Sequence, residues 1–187
     1  MRKLDRYLSE QEVKNMAEAD LEKELTLIGV VGSADKMQED VATCVQDFIE
    51  AGIKVWIVTG DKDSTAKAVG YQSGILSPHR EILQLTTDLS TDKSALIDKI
   101  IAERGQKDCM ISGSGVEVLL TAIESLTSEK DKDLKKSLVD SFLSAKSFVV
   151  YRSSPKQKAA LVKFVRTHCK NKTTLAIGDG ANDVNMI

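Results

Sequence analysis

The stretch IKVWIVTGD, residues 53–61, decides the fold. Ile53, Val55, Trp56, Ile57 and Val58 make an apolar run broken only by Lys54, the pattern of a strand covered on both faces as in a parallel sheet. The run stops at Thr59-Gly60-Asp61, a composition suited to a tight turn. The same cycle recurs with CMI at 109–111 before SGSG, with SFVVY at 147–151, and with TTLAI at 173–177 before GDG. Upstream, LTLIGVV at 25–31 is a further short apolar run rich in β-branched residues. Helical periodicity fills the intervals. Asp40 to Ala51 carries Val41, Val45, Phe48 and Ile49 on one stripe, and Gly52 is placed to end that helix. Further helices are predicted over 92–104, 116–124 and 131–145, the last with Leu134, Leu138 and Phe142 at four-residue steps. Strand and helix alternate at βαβ spacing, so the fold class is α/β, with a doubly wound parallel sheet flanked by helices.

Bulk composition narrows the setting. At 187 residues, with 42% hydrophobic and 29% charged residues, the chain has the balance of a globular protein with a real core. No apolar run approaches the roughly 20 residues of a membrane helix, and the charged first 24 residues have no signal-peptide stretch, so a cytosolic setting is the default. Those 24 residues read as an exposed helical lead-in, and 25–187 as the domain proper. The acid-base run SEKDKDLKK at 128–136 reads as a solvated face. Cys44, Cys109 and Cys169 lack the spacing of a zinc site or a disulfide framework. A formal net charge of -2 offers no general attraction to nucleic acid, so any anion must be bound locally.

Ligands of open α/β sheets bind beyond the carboxyl ends of the strands, which directs attention to three strings. In Thr59-Gly60-Asp61 the threonine offers a hydroxyl and the glycine lets a main-chain N–H approach an anion, although the same residues also make an ordinary turn. In Gly178-Asp179-Gly180-Ala181-Asn182-Asp183 two carboxylates straddle an asparagine, a donor set that suits Mg²⁺ and equally a helix cap. In Ser153-Ser154-Pro155-Lys156-Gln157-Lys158 a helix begins with lysines in its first turn, against the positive end of the helix dipole. A phosphate at that end would remove the misfit; solvation of both lysines would too. Together a hydroxyl, an amine and a carboxylate pair at one sheet edge describe a phosphoryl-transfer site without its nucleophile.

In this order the three strings resemble motifs of the haloacid-dehalogenase superfamily. IKVWIVTGDKDSTAKAVGY, YRSSPKQKAALV and TTLAIGDGANDVNMI are further similar to the phosphorylation domain of P-type ATPases, and LTLIGVVGSADKMQEDV to its hinge strand. Asp35-Lys36-Met37-Gln38, where cation pumps have D-P-x-R, together with Trp56, Lys62 and Tyr71, resembles the type IV group, the phospholipid flippases. The resemblance implies ATP-driven phospholipid translocation by a longer, membrane-embedded protein through an aspartyl-phosphate, with this domain on the cytosolic side and room for an accessory subunit. Carried over by position, Asp179 and Asp183 would hold Mg²⁺, with Asn182 orienting the metal and the phosphorylated group. Thr59 and Gly60, in the turn closed by Asp61, would hold phosphate oxygens, and Lys158 would neutralise the transferred group. Asp35 and Arg152 would lie toward ATP. No D-K-T-G-T string, the family's site of phosphorylation, occurs here, so the sheet is expected to lack its nucleophile strand and the chain alone to be inactive. The alternatives are a cation-transporting P-type ATPase, a freestanding Mg²⁺-dependent phosphatase of dehalogenase type, and a non-enzymatic phosphate-sensing domain.

Overall fold

The computed structural model describes residues 26–32, 36–85, 93–103 and 107–187. The chain divides into two units, Met1–Lys36 and Met37–Ile187. The helical lead-in over 1–24 lies outside the described residues. In the first unit, residues 26–32 form no strand, and Leu27, Ile28, Val30 and Val31 are exposed. The strand expected at 25–31 is therefore not formed among the described residues.

The second unit runs α1 (Val41–Glu50), β1 (Trp56–Val58), α2 (Asp63–Gln72), β2 (Ile82–Leu85), α3 (Lys93–Glu103), β3 (Asp108–Ser112), α4 (Gly113–Ser125), a 3₁₀ turn (Glu129–Asp131), α5 (Lys132–Ser144), β4 (Phe148–Tyr151) and α6 (Pro155–His168). The four strands form one parallel sheet in the order β1-β4-β3-β2. Its two inner strands, DCMIS and FVVY, are buried at every residue, which is why CMI and FVVY read as apolar runs.

Alternation along those strands divides the core into two. Cys109, Ile111, Phe148 and Val150 meet Ile100 of α3, Leu119 and Ile123 of α4, Leu138 and Phe142 of α5, and Leu161 and Phe164 of α6. Met110, Val149 and Tyr151 point the other way, to Ala66 of α2, Ile75 and Leu76, with Val45 of α1 packed at the edge. Helices therefore cover both faces of the sheet, as the α/β reading requires. Trp56, Phe142, Phe148 and Phe164 interlock in edge-on and tilted pairs with centroids 4.6 to 6.0 Å apart. Gly52 has φ 79°, the left-handed conformation that closes α1.

At the amino end of β3, Asp108 is fully buried and bonded at 2.7 Å both to Arg80 Nε and to Ser77 N–H. This ties the α2–β2 loop to the end of the sheet away from the candidate site. The strand expected at 173–177 is absent: Leu175 and Ile177 are about four-fifths exposed and no ladder includes them. Among the described residues β1 is accordingly an edge strand.

Candidate phosphate and metal site

The carboxyl ends of β1 and β4 carry two of the strings singled out above, Thr59–Asp61 and Ser153–Lys158; the third, Gly178–Asp183, follows a segment that is not part of the sheet. β1 delivers Thr59-Gly60-Asp61, and α2 follows with Asp63 in its first turn. Thr59 Oγ1 donates to Asp61 Oδ2 at 2.8 Å and accepts from Asp61 N–H at 3.2 Å, so the turn is closed by its own side chains.

The end of β4 clips this turn. Val58 pairs with Val150, and Thr59 N–H donates to Val150 C=O at 2.8 Å. In a regular parallel ladder the Thr59 carbonyl would next accept from residue 152. It accepts instead from Ser153 N–H at 2.9 Å, while Arg152 N–H turns to Asp61 C=O at 2.8 Å. One residue has been inserted, which makes a bulge at the strand end. Arg152 takes it up with φ 50°, a left-handed conformation that costs a side-chain-bearing residue about 1–2 kcal/mol. Its side chain is exposed.

From the bulge the chain enters α6. Ser154 and Gln157 form a reciprocal capping box, with Pro155 in the first turn. Lys158 then lies on the same face as Leu161 and Phe164, all three buried. Its ammonium donates to Asp183 Oδ1 at 2.8 Å, and both side chains are at least nine-tenths covered. Asp183 Oδ2 also accepts from Gly180 N–H at 3.4 Å. The Lys158 hydrogen bond, above all, holds the Asp183 carboxyl below the ordinary carboxylate range; the Gly180 N–H adds to this and burial opposes it. Gly178 makes room for the arrangement, because a Cβ there would run into Asp183 Cβ and lie 2.7 Å from its Oδ2.

Among the expected site residues, the structure thus joins Lys158 to Asp183, and Thr59, Gly60 and Asp61 to the main chain of 152–153. Both groups hang on the β4–α6 junction. Asp179 and Asn182 are exposed beside Asp183, and Asp35 lies outside the described residues. A void of about 20 Å³ sits in the core among Leu85, Ile100, Phe142 and Phe148, and a shallow concavity lies at Thr167–Lys172; neither is lined by a candidate site residue. Sequence reasoning missed the main-chain role of Ser153. It also left Lys158 open between solvent and phosphate, although its three-residue step to Leu161 marks the buried face.

Hard oxygen donors are the right kind for Mg²⁺, which keeps several waters and takes one or two carboxylates. Asp179 is exposed and Asp183 is bonded to Lys158, so the loop offers carboxylate oxygens of the right kind, though among the described residues no group of three metal-ligating side chains gathers there. Ser153 Oγ, buried and without a hydrogen-bond partner among the described residues, adds an unsatisfied polar atom to the same strand end.

A parallel α/β sheet with helices on both faces, ending in these three strings, is a haloacid-dehalogenase-like domain. The comparisons narrow this. No family model matches the chain. Phospholipid-transporting ATPase 10 of Arabidopsis thaliana is 34% identical over an alignment of 185 residues that takes in 89% of this chain and 15% of the relative. Phospholipid-transporting ATPase VD of Mus musculus is 33% identical over 89% of this chain and 13% of its own length. The probable phospholipid-transporting ATPase DNF3 of Saccharomyces cerevisiae is 34% identical over 96% of this chain and 11% of its own. The chain belongs to the phospholipid-transporting P-type ATPases, the type IV group, and spans about one-seventh of the length of such relatives.

Proposed function

We propose that this chain forms the metal- and phosphate-handling part of the phosphorylation domain of an ATP-driven phospholipid translocase. The observation that carries the reading is the buried Lys158–Asp183 pair, which links the first turn of α6 to the Gly178–Asp183 loop. An amine and a carboxylate are buried together, bonded at 2.8 Å, and the loop that supplies the carboxylate also carries the exposed Asp179. Electrostatic work on a phosphoryl group is strongest where such charges are fixed in advance. Mg²⁺, when bound, would neutralise phosphoryl oxygens. Asp179 and Asp183 would hold it, and Asn182 would orient it. Thr59 and Gly60 would take phosphate oxygens in the turn that Asp61 closes, and Lys158 would offset the charge of the transferred group.

Arg152 and Asp35 would serve ATP. The aspartate that accepts phosphate would come from a D-K-T-G-T segment elsewhere in the longer protein, beside the free edge of β1. In that protein this domain would face the cytosol; no helix among the described residues is long and apolar enough to cross a membrane. An accessory subunit belongs to the longer protein as well.

The test is phosphoenzyme formation. Incubated with labelled ATP and Mg²⁺, this chain should take up no acid-stable, hydroxylamine-sensitive label. The longer protein should take it up, and lose it in Asp179→Asn and Lys158→Ala. Label on this chain alone would replace the reading with that of a self-sufficient enzyme.

A further inference from the structure

We infer that Arg152 is a positioning residue that acts through its main chain, its left-handed bulge holding the Thr59–Asp61 turn in the form that receives an anion. This rests on the phosphate reading of that turn, but it concerns a separate property of position 152. A side chain that merely reached toward a ligand could project from a regular strand end. Here the ladder is broken instead, at the one register step where β4 passes the turn. The slip sends the Arg152 N–H to the Asp61 carbonyl and the Ser153 N–H to the Thr59 carbonyl, at 2.8 and 2.9 Å. The two bonds bracket Gly60 on either side. A regular continuation would give the residue 152 N–H to the Thr59 carbonyl and so would not bring it to the Asp61 carbonyl. Conformations of this type, held against local preference, collect at functional sites because the surroundings over-determine them.

The carbonyl of Ser153 lies 3.7 Å from the position a Cβ would take on Gly60, an ordinary van der Waals spacing, so the clip runs beside the turn without crowding it. The main chain and the side chain of Arg152 thereby separate as variables. Glycine removes the side chain and favours the left-handed bend. Asparagine tolerates it. Alanine removes the side chain and keeps the strain, and valine opposes the bend most strongly.

The experiment compares Arg152→Gly, Arg152→Asn, Arg152→Ala and Arg152→Val in this chain by amide hydrogen exchange and by ¹H–¹⁵N spectra, with and without inorganic phosphate plus Mg²⁺. Exchange at the residue 152 and Ser153 amides should be slowest in the glycine variant and roughly tenfold faster in alanine, with valine faster still. The Gly60 amide resonance should stay near its native position for glycine and asparagine, and move for valine. If valine does not fold, the glycine–alanine pair decides. Equal exchange and equal Gly60 positions in those two variants would overturn the inference. The phosphate arm answers the other question: a native Gly60 amide indifferent to phosphate and Mg²⁺ sinks the anion reading, and with it the anion clause of the inference. If phosphate does shift Gly60, an equal loss of that shift in the glycine, asparagine and alanine variants would assign the effect to the guanidinium and overturn the inference as well.

Discussion

Gly178→Ala perturbs the site at the point of least tolerance. The added methyl would overlap Asp183 Cβ and Cγ and stand 2.7 Å from Oδ2, where ordinary van der Waals contact begins at about 3.4 Å. The carboxylate must therefore retreat by about 0.7 Å or more, the difference between those two distances. Its bond to Lys158 is 2.8 Å long, so a retreat of that size directed away from the lysine takes it to the limit of a hydrogen bond. Overpacking of this kind costs about 1–3 kcal/mol. Gly32→Ala is the control, because a Cβ there meets nothing within 4 Å, and such a change should stay within about 0.5 kcal/mol. Urea unfolding followed by circular dichroism measures both, with Trp56 fluorescence as a second probe. A Gly178→Ala chain as stable as the control, with the Asp183 carboxyl still titrating below its ordinary range, would refute the packing argument.

Other expectations follow from the same geometry. Because the Asp183 carboxyl is depressed below its ordinary 3.8, the unfolded state binds the proton first; its stabilising contribution is full above about pH 5 and is lost as pH falls below about 4 through the folded-state value. Stability of Asp183→Asn measured between pH 3 and 6 should lack that acid limb. Phe142→Ala removes a fully buried ring from the aromatic cluster and should cost about 3–5 kcal/mol in chemical denaturation. Arg80→Ala leaves the buried Asp108 carboxylate with only the Ser77 N–H. The guanidinium is 40% exposed, so the loss should fall near the low end for a broken buried pair, about 3 kcal/mol or less by the same assay. Burial foremost, with Lys135 second, lowers the His168 pKa below 6.5; its ring signals should titrate under that value, and stability should rise with pH across the window.

The sheet was legible where burial on both faces leaves apolar runs. FVVY and DCMIS appear almost as read, and only the last half of IKVWIV is paired. Helices α3 to α5 fall within a few residues of their predicted bounds because their apolar stripes face a continuous core. ILQL at 82–85 was not anticipated; it is short, and only its inward residues Leu83 and Leu85 are buried. LTLIGVV and TTLAI misled for the opposite reason, since strand-like composition states a capacity to pair and a strand exists only beside a partner. At the site, residue types were legible and their coupling was not. A lysine paired with a carboxylate 25 residues away leaves no local pattern, and nothing in the string YRSSP announces a left-handed arginine.

If the Thr59–Asp61 turn and the Asp179–Asp183 loop serve one phosphoryl site, a single ligand must be felt at both. This is tested most directly by titrating inorganic phosphate in the presence of Mg²⁺ into this chain and following the amides of both segments. Thr59 and Gly60 should shift together with Asp179, Asn182 and Asp183 along a single saturation curve, which Lys158→Ala weakens at both places. Two independent curves, or a response confined to one segment, would contradict a shared site.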